Sequence, residues 1–360
     1  MFDCLPYFFV FALVFIINCI GVRQKRVWLR KFFIIFGFLF LVFFIGFRYD
    51  VGTDYNNYLE IFERTADASF EKIFASDIEP FVSILFKVSS LFLLDARLIF
   101  LILGFLTLWP IYRVNKIYDY KYLPYSVLSY SILFLPFGLN GIRQGIAAGF
   151  ALLSFVFLNE DKKKNATFYF LVAVLFHASS LVVLPYLIAI IVAKRKKINF
   201  TWLNIIITGS VSVIVLFFLK DILSQAGFSQ YNYILNDIDI DSISLVSVVV
   251  YIPILVLPFC FQTSKDKTNN INILRNLMIS GALFTIVGSA AQYLSRFGLY
   301  FLMPSILLLP HTVQSISNKN TRVLIKCLLI IYFILFFYLQ YSLLGKHEIL
   351  PYQTWLFGGL

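Results

Sequence analysis

Long apolar stretches alternate with short polar ones along almost the whole chain. A bilayer core about 30 Å thick takes about 20 helical residues to cross, and such runs start at once with Phe2 to Ile20. Further apolar runs lie near 32–47, 80–94, 97–113, 123–138, 143–158, 166–192, 201–219, 244–261, 273–294, 297–313 and 323–344. The pattern predicts an all-α, polytopic integral membrane protein of about twelve transmembrane helices, within roughly ten to thirteen. No internal repeat or Pro-rich linker divides it, so residues 1–360 read as a single membrane domain. The first run has no basic flank before it and no small-residue cleavage site, and reads as a retained helix. The run 166–192 is interrupted by His177-Ala178-Ser179-Ser180 and by Pro185. It is either one tilted helix or two short pieces with a break at membrane depth.

Composition agrees. Hydrophobic residues make up 60% of the chain and charged ones 14%, against about 45–50% and about 25% in a soluble domain. That excludes a cytoplasmic enzyme, a secreted disulfide scaffold and a nucleic-acid-binding domain. The net charge of +11 then belongs to topology. With the N-terminus outside and simple alternation, the clusters Arg23–Lys31 and Lys194–Lys197 fall inside, and nearly all carboxylates fall outside. The excess of Lys and Arg on inner loops supports this orientation. Lys162, Lys163 and Lys164 land outside against the rule, as do Arg113, Lys116 and Lys121. One re-entrant run would flip the middle of the map and leave both ends. Two polar excursions, 48–79 and 220–243, sit on the outer face and are rich in carboxylates. Cys4, Cys19, Cys260 and Cys327 are scattered singly, and His177, His311 and His347 form no zinc spacing. No disulfide, metal site or cofactor is expected.

Four polar constellations carry candidate chemistry. The first is Arg48-Tyr49-Asp50-Val51-Gly52-Thr53-Asp54-Tyr55-Asn56-Asn57-Tyr58, directly after the second apolar run. Gly52 permits a tight turn, and Thr53 or Asp54 suits the cap of a short helix on which Asp54 and Tyr58 share a face. An arginine, a carboxylate and tyrosines at a membrane boundary suit a sugar-phosphate: arginine pairs with phosphate, tyrosine packs on a sugar, and a carboxylate takes a proton from a hydroxyl. The bland alternative is a snorkelling Arg48, a capping Asp54 and an aromatic belt. The second is Asn140-Gly141-Ile142-Arg143-Gln144-Gly145-Ile146-Ala147-Ala148-Gly149, where Gly145 and Gly149 allow close helix approach and Arg143 and Gln144 face either an anionic group or the lipid headgroups. The third is His177 within its apolar run, a proton-handling residue or a histidine bonded to a neighbouring carbonyl. The fourth is Gln292-Tyr293-Leu294-Ser295-Arg296-Phe297-Gly298-Leu299-Tyr300, which places Arg296 one turn before Tyr300. Two arginines reaching one outer cavity would clamp a pyrophosphate.

Read in order, RYDVGTDYNNY, IRQGIAAGFAL, LFHASSLVVLP and SRFGLYF resemble the motifs of the EpsG family, Wzy-like polymerases of bacterial surface polysaccharides. The resemblance spans nearly the whole chain. It implies an enzyme of the bacterial cytoplasmic membrane that works at the outer face. Such an enzyme joins undecaprenyl-pyrophosphate-linked glycans into O-antigen, capsule or exopolysaccharide, beside a flippase and a chain-length regulator. Arg48, Arg143 and Arg296 are then candidates to stabilise the departing pyrophosphate. Asp54 is the first choice of base, and His177 a second base or an orienting group. Gln144, Tyr49, Tyr55, Tyr58 and Tyr300 complete the substrate-binding candidates, and the 42 phenylalanines suit a groove for the polyprenyl chain. Simple alternation puts Arg143 on the face opposite Arg48, so the map and the shared site conflict. The rival classes are a lipid-linked oligosaccharide flippase and a membrane O-acyltransferase centred on His177.

Overall fold

The computed structural model describes residues 2–69, 78–92, 95–225, 249–261, 269–288 and 292–357. The second polar excursion, beyond the helix that enters it, lies outside them. Among the described residues all regular structure is helical, apart from one isolated antiparallel bridge between Arg48 and Thr354. Helices α1 (Leu5–Arg23) and α2 (Val27–Gly46) open the chain as a hairpin. They bury Tyr7, Phe11, Val14 and Leu41 while Phe9, Ile16, Phe32 and Ile35 stay exposed. Helices that are apolar on their outer as well as their inner face are at home in lipid. The all-α, multi-pass membrane architecture is therefore as expected.

Among the described residues the expected number of about twelve spans is not confirmed. Among the described residues six helices are long and apolar enough to cross a membrane: Phe2–Arg23, Val27–Gly46, Ala96–Tyr118, Ile142–Asn159, Ala178–Lys196 and Lys319–Leu343. The pair Leu294–Leu302 and Ser305–Ser315, bent by 44°, would make a seventh. Shorter apolar helices supplement them at Pro80–Ser90, Phe200–Ile214 and Ile271–Val287. Among the described residues, Pro80–Ser90 is too short to cross and the run 166–192 is broken at His177.

The described residues between α2 and α5 (Ile99–Tyr118) begin and end at one end of the molecule. Trp355 packs on Phe47 at 5.1 Å, and the Arg97 guanidinium lies 4.9 Å over the same indole, so the end of α2 meets the start of α5. In between, α3 (Tyr55–Asp67) and α4 (Pro80–Ser90) run side by side in the same direction. Phe62 and Phe86 touch at 5.7 Å, and Lys87 Nζ donates to the carbonyl of Ala66. With eleven residues α4 rises only about 16 Å, half a bilayer, and does not cross.

From there the chain runs back and forth. Helix α5 leaves this end, and α6 (Leu123–Leu133) and α7 (Leu135–Asn140) return to it through a break at Phe134. Pro136, at the start of α7, has no N–H with which to continue the α6 ladder. Helix α8 (Ile142–Asn159) departs again. A side chain at Gly145 would sit 3.0 Å from the Cα of Gly138, and one at Gly149 3.1 Å from Pro110, so these helices pack nearly backbone to backbone. Helix α9 (Lys163–Phe176) comes back as far as His177, whose extended backbone (φ −158°) ends it. A 3₁₀ turn over Ala178–Val183 and α10 (Leu184–Lys196) then lead away. Lys194 Nζ donates to the Asn159 carbonyl at 2.6 Å and pairs with Asp161 at 3.1 Å.

The run 166–192 is therefore two antiparallel pieces, and the simple alternation is corrected twice. Because 80–94 does not cross, the turn Asn140–Arg143 shares the end that holds Arg48. Because 166–192 turns at His177, the lysine triplet 162–164 joins Lys194–Lys197 at the other end. Segments 23–31 and 113–121 lie there too: α1 and α2 turn at that end, and Asn18 Nδ2 donates to the Tyr112 hydroxyl at 3.1 Å. All four basic segments fall together.

The rest of the chain closes the bundle. Helix α11 (Phe200–Gln225) packs between α10 and α13 (Asn269–Val287), and α12 (Ile252–Cys260) packs beside α13. A polar ladder joins Tyr186, Thr208, Ser280 and Asn204 across α10, α11 and α13 at 2.8–2.9 Å. Such interhelical hydrogen bonds hold helices together where lipid offers no hydrophobic drive. Helices α14 (Gln292–Leu302) and α15 (Ser305–Ser315) lead back to the basic end, and α16 (Lys319–Phe337) returns. After a π-helical turn at Tyr338–Leu343, the last described residues fold as a strap over the loop that follows α2.

Candidate functional site

The loop 48–54 is built between that strap and α7. Tyr49 N–H donates to Gln353 O at 2.9 Å, Gly52 N–H to Glu348 O at 3.1 Å and Thr53 N–H to His347 O at 3.3 Å. Gly52 has φ +93°, and a Cβ there would meet the Leu139 carbonyl oxygen at 3.2 Å. A left-handed backbone against a neighbouring carbonyl is a position for glycine, as the sequence suggests. Asn140 locks the turn from the other side. Its Oδ1 accepts from the Thr53 hydroxyl and from the Asp54 N–H at 3.0 Å, while its amide faces His347 Nδ1 at 3.4 Å. Burial, with repulsion from Lys346 and Arg296, lowers the His347 ring to about 4. The imidazole is thus neutral at pH 7 and accepts from Asn140.

Asp54 immediately precedes α3 and makes no capping hydrogen bond through its side chain. Its carboxylate is half-buried and faces the charges of Arg296 and Arg143. Burial raises its pKa above the ordinary aspartate range, and the two arginines oppose that shift. Arg48 is elsewhere than the sequence suggests: it is fully buried beneath the loop. Its Nη2 donates to Leu139 O at 3.0 Å and its guanidinium carbon sits 4.6 Å over the Phe100 ring. Burial lowers it to about 10, which leaves it charged at pH 7.

The facing wall comes from α8, the His177 break and α14. Arg143, at the head of α8, pairs through Nη1 with Glu79 Oε2, and its N–H reaches the Tyr58 hydroxyl at 3.4 Å. His177 Nδ1 lies 2.7 Å from the other Glu79 oxygen. Burial would raise the Glu79 carboxyl, but the His177 hydrogen bond and the Arg143 charge outweigh it and hold the group at about 2. Gln144 Nε2 donates to the carbonyl of Arg296 at 2.9 Å, and Tyr300 and Ser179 share a hydroxyl hydrogen bond of 2.8 Å. The four polar constellations of the sequence thus meet at one end of the molecule.

Their members differ in access. Arg296 is exposed, and Arg143, His177, Asp54 and Tyr49 are partly so. Tyr55, Tyr58 and Tyr300 are buried: Tyr55 stacks on Phe100 at 4.6 Å, and the other two offer hydroxyls to the site. Sequence reading missed Glu79, Asn140 as a loop lock, and His347. In the sequence Glu79 is one of many carboxylates in the polar excursion 48–79. Its signal was the adjacent Pro80, which marks a helix start and so a fixed position. Below the site an apolar cavity of about 460 Å³ runs between α1, α6, α15 and α16, lined by Phe8, Phe11, Phe15, Ile132, Phe333 and Lys326 among others. Beside Phe8, the Tyr7 hydroxyl donates to Ile349 O of the strap at 2.7 Å, which ties this part of α1 to the site end. Among the described residues no three His, Cys, Asp or Glu side chains are grouped to hold a metal ion.

No curated protein and no solved structure matches the chain. A family model does, over residues 31–354, from the second helix to the strap that pins the Arg48 loop. With all four motifs inside that match and assembled at one place, the chain belongs to the EpsG family, membrane proteins of polysaccharide biosynthesis.

Proposed function

We propose that the protein is a polymerase that joins undecaprenyl-pyrophosphate-linked oligosaccharides at the outer face of a bacterial cytoplasmic membrane. The observation that carries the reading is an uncommitted, half-buried carboxylate, Asp54, opposite two accessible arginines, Arg143 and Arg296. An acceptor sugar hydroxyl would lose its proton to Asp54 as its oxygen bonds to the anomeric carbon of the donor. The bond from that carbon to the pyrophosphate oxygen breaks, and the electron pair leaves on an anion that the arginines stabilise. Tyr49, the partly exposed ring among the four site tyrosines, would pack on a sugar. Arg48 supplies positive charge from beneath and fixes the loop. The apolar groove would receive part of the polyprenyl chain.

Orientation supports the reading. With the basic segments gathered at one end, the positive-inside rule puts that end in the cytoplasm and the site outside. A flippase would need cations along a path through the bundle, whereas these cations lie at one mouth. An acyltransferase centred on His177 would use Nε2, with Nδ1 oriented by Glu79, and would leave Asp54 and the two arginines without a role.

The test is deletion of the gene followed by gel analysis of the surface polysaccharide. Polymerase loss leaves single repeat units at the surface, flippase loss leaves none, and acyltransferase loss keeps full-length chains. Either of the last two patterns would overturn the reading.

A further inference from the structure

Two carboxylates stand at the site in opposite conditions. Glu79 is fully engaged, with one oxygen on Arg143 and the other on His177. Asp54 makes no capping bond and has Arg143 as its second cationic neighbour after Arg296. Arg143 is thus within the field of both acids and bonded to one. Glu79 comes from the loop before α4, Arg143 from the head of α8 and His177 from the break after α9, so a single carboxylate ties three separate segments. A carboxylate that loses its acid partner's competition for a cation becomes a paired ion and a weaker base.

Resting on the polymerase reading above, we propose that Glu79 is the positioning residue of this site. It holds the Arg143 guanidinium where the leaving pyrophosphate will need it, and it keeps that guanidinium from pairing with Asp54, which stays available as the base. The bias follows from geometry: Arg143 Nη1 is bonded to Glu79 and Glu79 is held in turn by His177, so a turn of the guanidinium toward Asp54 competes with an anchored pair. Separating two neighbouring acids by environment is how one site holds an ionised structural group and a proton acceptor together. His177 secures the arrangement by fixing the second Glu79 oxygen, so that Glu79 cannot swing with Arg143.

The experiment is the pH dependence of chain elongation in membranes of a deletion strain carrying tagged variants, supplied with the strain's own carrier-linked repeat unit. The charged and titratable groups acting on Asp54 are Arg296 on α14, Arg143 on α8 and Tyr58 on α3. In Glu79→Gln, Arg143 turns to Asp54 and lowers its pKa. Elongation at pH 7 should then fall at least about tenfold, and the acid limb should move to lower pH. Glu79→Asp should keep the limb near the wild-type position with a smaller loss. In the Glu79→Gln, Arg143→Gln double variant the limb should return upward, although the rate stays low for want of a cation. A rate loss in Glu79→Gln with the limb unmoved, or no loss at all, overturns the proposal. If Glu79→Gln fails to reach the membrane, the limb in Arg143→Gln decides alone: it must move to higher pH, and an unmoved limb overturns the proposal. Failure of the polymerase reading looks different, because the deletion strain would then show either no surface glycan or full-length chains instead of single repeat units.

Discussion

Asp54 and Glu79 lie on the same polar excursion of the chain, and their surroundings give them opposite characters. Asp54 is raised by burial, against Arg296 and Arg143. Glu79 is drawn down to about 2, because His177 and Arg143 outweigh its burial. A raised carboxyl pKa means that the base is lost as pH falls through a value above the ordinary aspartate range of about 3.9. Elongation should therefore have an acid limb above that value, measurable by chain length against pH. Asp54→Asn should remove about 10²- to 10⁴-fold of the rate while an immunoblot shows the usual amount in the membrane. Normal chains in this variant would eliminate Asp54 as the base. Arg48 belongs to a different class of residue. Its planar guanidinium stacks on Phe100 and bonds Leu139 O, which a lysine cannot do at once. Arg48→Lys should lose long chains nearly as fully as Arg48→Ala, and wild-type chain lengths in Arg48→Lys would show that charge alone suffices.

Among elements, the loop 48–54 and the strap after α16 form one unit. Each supplies what the other lacks: the loop offers N–H groups of Tyr49, Gly52 and Thr53, and the strap offers carbonyls of Gln353, Glu348 and His347. Cutting the chain after Leu344 removes those acceptors and the partner of Asn140. Helical content by circular dichroism should stay close to wild type, while polymer disappears. Retained long chains would show that the loop holds its shape unaided. Gly52→Ala tests the same unit locally. The left-handed backbone costs a non-glycine residue about 1–2 kcal/mol, and its Cβ would press on Leu139 O at 3.2 Å. Lower thermal stability in detergent and shorter chains are expected. The glycine turn could be foreseen from RYDVGTDY, since φ freedom is local chemistry. The strap could not, because its partners are some 300 residues distant and bond through backbone groups that every sequence has.

Across the whole molecule, the distribution of charge follows from two chain reversals. Helix α4 ends after eleven residues, and the apolar run around His177 turns back on itself. Those two events put Arg48 and Arg143 at one end and the basic segments at the other. A cysteine replacing exposed Glu63 at the site end should react with an impermeant thiol reagent in intact spheroplasts. One replacing exposed Lys163 should react only after lysis, in a background from which the native cysteines are removed. Labelling of both from outside would overturn this architecture.

The sequence by itself determined that the chain lives in lipid, that it is helical, and which short polar motifs interrupt the apolar runs. These are consequences of composition and of neighbours a few residues apart, where hydropathy and turn chemistry act. Tertiary structure decided which runs cross and which turn back, and with that which motifs meet. Pro80–Ser90 is an apolar helix, so hydropathy alone does not separate it from part of a true span. What separates them is that α4 packs along α3 and places Glu79 against Arg143 and His177, contacts of 64 and 98 residues' separation. Pairing at that range is set by the packing of the whole bundle, which is why the excess charge was visible at once and the single carboxylate that organises the site was not.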